Sequence, residues 1–223
     1  MLKQSLVRFT SLFLVIPFYA AAQVSDENPL LKNEIGISLL SIQSKYRADY
    51  QWDFFVSVLN GIRYKRHLGL HAFRLGGEYR YSWSAVHGDV TGESRYLEGK
   101  FNMGYQFSLS EKAIKPYIAM DLFYLVSQLN SEYRGGYLDV YSKHNLQIHG
   151  IGYAPAAGLY FKVCESLSIS WEANVEFLWY TEKGTNIRSD PNDFHSRTTY
   201  PVNRREHAWM INPIKSISIN YEF

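Results

Sequence analysis

The sequence predicts an all-β fold: an eight-stranded antiparallel transmembrane β-barrel with short periplasmic turns and long extracellular loops. Three observations predict it. First, long stretches alternate between apolar and polar residues with a period of two, the side-chain period of a β-strand. In 167–180 one face collects Leu167, Ile169, Trp171, Ala173, Val175, Phe177 and Trp179. The other collects Ser168, Ser170, Glu172, Asn174, Glu176, Leu178 and Tyr180. At roughly 3.3 Å per residue this strand spans about 45 Å, far beyond a usual globular strand of about 5–6 residues. Tryptophan on one face and two carboxylates on the other suit lipid outside and a polar lumen inside. Second, the connections alternate between short (67–69, 110–115, 164–166) and long, which separates the two rims of such a barrel. Third, the chain opens with an export leader. Lys3 and Arg8 precede the apolar run 12–22, and Ala20 and Ala22 fit a small-residue cleavage site before Gln23.

The chain therefore divides into a signal peptide (1–22), a short polar lead (23–32) and the barrel (33–223). The first strand, 33–44, carries Ile35, Ile37 and Leu39 on one face. The second, 54–66, puts Val56, Val58, Ile62 and Tyr64 out, and Ser57, Arg63 and Lys65 in. The third, 70–83, alternates His71, Phe73, Leu75, Tyr79, Tyr81 and Trp83 with Ala72, Arg74, Glu78, Arg80 and Ser82. The fourth, 94–109, turns Leu97, Phe101, Met103, Tyr105, Phe107 and Leu109 to lipid, and Tyr96, Glu98, Lys100, Asn102 and Gln106 to the lumen. The fifth, 116–128, has Ile118, Met120, Leu122, Tyr124 and Val126 out; its inner face mixes Tyr117, Asp121 and Ser127 with Ala119, Phe123 and Leu125. The sixth, 146–163, is interrupted by Pro155, where a bulge or register change is expected because proline cannot donate to the ladder. The seventh is 167–180. The eighth, 208–223, sets Trp209, Ile211, Ile217, Ile219, Tyr221 and Phe223 on one face together with Lys215. A lysine there must snorkel, or Pro213 must shift the register above it.

Composition agrees with a barrel. The 223 residues suit one domain. Aromatics are 16%, with 18 tyrosines, enough to form interface girdles. Mean hydropathy is −0.25 because each strand is only half apolar. Removing Lys3 and Arg8 leaves 21 basic against 21 acidic residues, so no overall field favours nucleic acid. Cys164 is the sole cysteine, which excludes an internal disulfide or a thiolate metal centre.

The chain's ending, Ile217-Ser218-Ile219-Asn220-Tyr221-Glu222-Phe223, resembles the terminal strand signal of bacterial outer-membrane barrels. The segments 70–83 and 160–176 likewise resemble small porin-like outer-membrane proteins of the OmpA/OmpX type. The resemblance implies residence in the cell outer membrane, with its lipid as the surroundings, and delivery by the barrel-assembly machinery through Ile217, Ile219, Tyr221 and Phe223. It brings no catalytic residue and no cofactor.

The inward faces collect Arg63, Lys65, Arg74, Arg80, Lys100 and Lys162 against Glu78, Glu98, Asp121, Glu172 and Glu176. Charges in a narrow lumen must pair or stay hydrated, and eight-stranded interiors are filled by side chains. The favoured expectation is a salt-bridged plug, with a structural or surface-interaction role and an extracellular ligand met through loops 129–143 and 181–207. One alternative is a narrow porin-like channel for ions or small solutes. Another is a lipid-modifying enzyme built on His195, Ser196 and Asp193, although a triad is recognised by geometry rather than by sequence proximity. Asp190, Asn192 and Asp193 would offer a hard cation oxygen ligands, without EF-hand spacing. The sequence favours a protein with no catalytic, cofactor or metal site.

Overall fold

The computed structural model describes residues 32–46, 52–110, 112–135, 140–189 and 196–223; side-chain placements at 43–46 and 52–55 are outside the description. The leader with Ala20, Ala22 and Gln23 lies outside the described residues, as do His195, Asp193, Asp190 and Asn192.

Eight strands follow one another: β1 Lys32–Tyr46, β2 Trp52–Leu68, β3 His71–Val86, β4 Val90–Ser108, β5 Ile114–Gly135, β6 Val140–Lys162, β7 Leu167–Ser189 and β8 Arg197–Glu222. Each pairs antiparallel with its neighbours, and β1 meets β8 to close the barrel. At the seam Asn33 and Phe223 exchange backbone hydrogen bonds of 3.0 and 2.9 Å. Up to Gly61↔Glu78 and Ile42↔Ile214, closure removes free edges and satisfies the backbone polar groups that hydrocarbon cannot.

The wall is inside out relative to a soluble protein. Val58 is 68% exposed on the outer surface, while Arg74 and Glu172 are 2% and 1% exposed within. Trp171 and Phe177 both stand on the outer face of β7, opposite the buried Glu172 and Glu176. Two glycines let aromatic rings lie flat against the inner wall. Tyr117 rests on Gly158 and Phe123 on Gly152, and in each case a Cβ on the glycine would run into the ring.

The three short turns lie at the periplasmic rim. Gly69 makes the first with a φ of +62°. At the other rim the strands run well beyond the expected ends. Most of 129–143 and 181–207 is paired strand rather than loop: β5 reaches Gly135, β6 starts at Val140, β7 reaches Ser189 and β8 starts at Arg197. Both faces of these extensions carry mostly polar residues, so the period-two contrast fades where the strand leaves the membrane.

Register departs from the expectation in two places, and in a third it decides between two expectations. Pro155 carries no bulge. The ladder between β6 and β7 omits Ala154 and Pro155, then resumes in the same register, from Tyr153↔Phe177 to Ala156↔Asn174. Pro155 withholds one donor without displacing the chain. A bulge sits instead at Leu39, which lies opposite Leu59 and Asn60; Leu59 has a φ of +51°. Past that point Leu40 and Ile42 continue the outward set. In β8 the register shifts, one of the two outcomes expected there: the pairing jumps from Glu172↔Ser216 to Asn174↔Asn212. That shift around Pro213 turns Lys215 inward, where it is 3% exposed.

Candidate functional site

The inner face of β7 orders the lumen, because its inward residues lie on successive levels from the turn upward. At the base, outside the reach of β7 itself, Glu34 of β1 accepts contacts from Lys65 Nζ at 2.8 Å and His67 Nε2 at 2.9 Å. The Lys65 ammonium lies 5.7 and 5.6 Å from the ring centroids of Tyr117 and Tyr160. Tyr160 donates its hydroxyl to Glu222.

Glu172 is the hub of the next level. Arg63 donates to its two oxygens at 3.1 and 3.2 Å, Arg74 approaches at 2.8 Å, and the Tyr117 hydroxyl donates at 2.9 Å. Arg74 also donates to Asp121 at 3.0 Å. Two guanidiniums thus face two carboxylates drawn from four strands, which ties β2, β3, β5 and β7 together across the lumen.

One level higher Lys100 Nζ lies 2.6 Å from Glu176. Lys215 Nζ bridges Glu78 and Glu176, the latter at 3.5 Å. Asparagines complete the layer. Asn102 donates to Glu78 at 3.1 Å, Asn174 to Glu176 at 3.2 Å, and Asn212 to Asn174 at 2.8 Å. Beside Ser38, Glu78 and Lys215 is a cavity of about 20 Å³, room for about one water molecule.

Above the ions the lumen becomes apolar. Phe123, Leu125, Ala154 and Leu178 pack together with Ile148, Tyr180 and Met210. Lys100 sits 4.5 Å from the Phe123 ring centroid, at the boundary of the two layers. The apolar layer thus stacks directly on the paired charges. Near the upper rim Arg80 and Glu98 approach to 3.6 Å, and Arg204 donates to Glu182 at 2.7 Å.

Ten of the eleven residues expected in the lumen line it in this way. Lys162 does not; it has the inward parity but ends β6 at the periplasmic rim, exposed to solvent. The sequence reading omitted Glu34 and placed Lys215 on the outer face. Glu34 was legible, since it precedes Ile35 in strict alternation. Lys215 was signalled only by its conflict with its apolar neighbours and by Pro213. Tyr221 and Phe223 lie on the outer wall with their rings stacked at 6.2 Å; Ile217 and Ile219 share that face. Among the described residues no group of three or more His, Cys, Asp or Glu is placed to hold a metal ion.

The hairpin of β5 and β6 carries an exposed pair above the membrane. Lys143 donates to Glu132 at 2.9 Å, and that bond holds the Glu132 carboxyl below its ordinary value. A lowered carboxyl stabilises the fold above its unfolded pKa and ceases to do so as pH falls. The difference in amide exchange between the protein and Glu132→Gln at this hairpin is therefore expected near neutral pH and should vanish in acid. The effect will be small and weakened by salt, because water screens both groups.

A closed eight-stranded wall, apolar outside and ionic inside, defines a transmembrane β-barrel of the bacterial outer-membrane class. No family model matches the chain, and no curated protein matches it by sequence. Three solved structures are similar to the chain over most of its length. The attachment invasion locus protein Ail of Yersinia pestis is 13% identical, with a TM-score of 0.40 over 86% of this chain and 99% of that one. A major outer membrane protein from Thermus thermophilus is 9% identical, with a TM-score of 0.47 over 86% and 98%. The outer membrane protease OmpT of Escherichia coli is 10% identical, with a TM-score of 0.34 over 90% and 99%. Likeness this loose carries no role across, so the class rests on the barrel's own wall.

Proposed function

We propose that this barrel is a plugged membrane anchor that presents its outer hairpins as an interaction surface. The observation that carries the proposal is an opening in the sheet that starts at the level of the Glu78–Lys215 ion pair and runs to the outer rim. Pairing between β2 and β3 runs only as far as Gly61↔Glu78, and pairing between β1 and β8 only as far as Ile42↔Ile214. Beyond those points β3 through β8 continue as one sheet, pairing out to Val86↔Gly92 and Ser189↔Arg197. Its two outer edges, the far part of β3 and the early part of β8, each have a described strand on one side only. Such an edge accepts an extended segment of another chain through backbone hydrogen bonds.

The reading is tested on the protein in lipid nanodiscs. Peptides selected from a displayed library are expected to lose binding when residues 183–203 are replaced by a two-residue Asn-Gly turn. The shortened barrel should keep its heat-modifiable migration on gels. In planar bilayers the parent protein should give little stable conductance. Selected peptides that ignore the truncation would remove the surface role; large, steady single-channel steps would favour the porin-like alternative.

A further inference from the structure

The outer wall of β5–β8 carries a feature that neither the plug nor the open edges use. A groove of about 480 Å³ crosses four strands and is lined by Tyr124, His149, Ile151, Trp179, Arg205 and His207, among others. The strand register shows how it is built. Along the hydrogen-bonding direction, Leu122, Tyr153, Phe177 and Trp209 form one outward row. The next row up is Tyr124, Ile151, Trp179 and His207, and the one above it is Val126, His149, Thr181 and Arg205. A further row holds Gln128, Gln147, Lys183 and Asn203. Within two rows the wall passes from hydrocarbon and aromatic rings to a cluster of cations and imidazoles.

The aromatic rows are ordered. Tyr153 stacks on Phe177 at 4.8 Å between centroids and leans on Trp179 at 5.7 Å. The Tyr124 hydroxyl and His149 Nδ1 are hydrogen-bonded at 3.1 Å, which fixes the imidazole over the groove. Tryptophan and tyrosine in such a row mark the depth of the headgroups.

The charge balance distinguishes this wall from the rest. Elsewhere above the aromatic rows, two outward cations have their own acids and a third covers a ring: Arg95 lies 3.1 Å from Glu93, Lys143 lies 2.9 Å from Glu132, and Arg197 lies 3.9 Å from the Tyr141 ring centroid. The four rows around the groove contain Lys183 and Arg205 and no outward carboxylate. One acid, Glu206, also borders the groove, but it is already engaged: the Tyr180 hydroxyl donates to it at 2.8 Å and Arg204 lies 3.2 Å away, the same Arg204 that reaches Glu182 at 2.7 Å.

We infer that this groove is a binding site for an outer-leaflet lipid with a phosphomonoester headgroup. The phosphate would meet Arg205, Lys183 and the imidazoles of His149 and His207, and an acyl chain would lie along Ile151, Trp179 and the Tyr153–Phe177 stack. The occupant is a lipid rather than a free anion because the groove opens sideways, into the bilayer, and its lower half is apolar. Arginine suits the phosphate because its planar fork can donate two hydrogen bonds to one group.

The test is native mass spectrometry of the protein released from nanodiscs of phosphatidylcholine doped with phosphatidic acid. The parent protein should retain phosphatidic acid in preference to phosphatidylcholine. Arg205→Gln and Lys183→Gln should each lower that retention about fivefold, the usual contribution of one cation at a membrane surface. Lys112→Gln and Lys162→Gln, at the opposite rim, each remove as much charge and should leave retention unchanged. Both sets lie on the surface, and heat-modifiable migration confirms that each variant is folded. Equal loss in the two sets would reduce the effect to net charge, and displacement by inorganic phosphate would make the site one for a free anion. Either result overturns the assignment, as does a parent protein without preference.

Discussion

Glu172→Leu is expected to destabilise the barrel by about 3–5 kcal/mol, the usual cost of removing one partner from a buried ionic group. The carboxylate is 1% exposed and holds Arg63, Arg74 and the Tyr117 hydroxyl at once. Its loss leaves Arg63 without that acceptor and Arg74 with Asp121 alone. The measurement is the urea midpoint of the heat-modifiable band for protein folded into lipid vesicles. A second variant tells missing charge from missing shape. Combining Glu172→Leu with Arg63→Met, Arg74→Leu and Asp121→Asn should recover much of the loss, because a well-packed apolar replacement of a whole buried network is often neutral or stabilising. If the single change costs no more than about 1 kcal/mol, the value for an exposed pair, then water already reaches these groups. The plug would have to give way to the channel reading.

How much of this was legible in the sequence depends on what each strand face touches. β3 and β7 read cleanly because one face meets lipid and the other meets charge, so alternation is at its strongest. The mixed inner face of β5 was also legible as a composition, with Phe123 and Leu125 beside Asp121. What those residues do was not legible, since the apolar layer forms only when Ala154 and Leu178 arrive from β6 and β7. The upper halves of the hairpins were misread as loops because mostly polar residues stand on both faces there and the contrast fades. Pro155 pointed to a bulge that does not form, whereas the Leu39–Leu59 bulge left no mark in composition. A bulge is a matter of two strands' relative length between fixed pairs, and a single strand's pattern does not encode it. Lys215 sits between these cases: its place in the pattern was wrong for lipid, and the register shift beside Pro213 resolves the conflict by bringing it to Glu78 and Glu176. The Tyr124–His207 groove was beyond sequence reading altogether. Its lining residues come from four strands and become neighbours only through the ladder.

Met103→Arg tests the other half of the architecture. Met103 is at the centre of the outward apolar set of β4, between Leu75 and Leu122 in the register, and is 51% exposed on the wall. Three residues earlier Lys100 is buried against Glu176, so the same strand already carries a cation at little distance along the chain. The difference is the face. An arginine at position 103 is expected to cost about 2–4 kcal/mol of folding stability in vesicles, the penalty for a cation near the bilayer midplane. The same substitution at Asn130, on the outward face of the hairpin above the rim, should change stability by no more than about 0.5 kcal/mol, as surface changes in water usually do. Depth, not charge, is the variable between the two sites. A barrel standing in a membrane must show that gradient. One whose outer face met water at both levels would tolerate Met103→Arg as readily as Asn130→Arg, and its mature form would stay in solution without detergent.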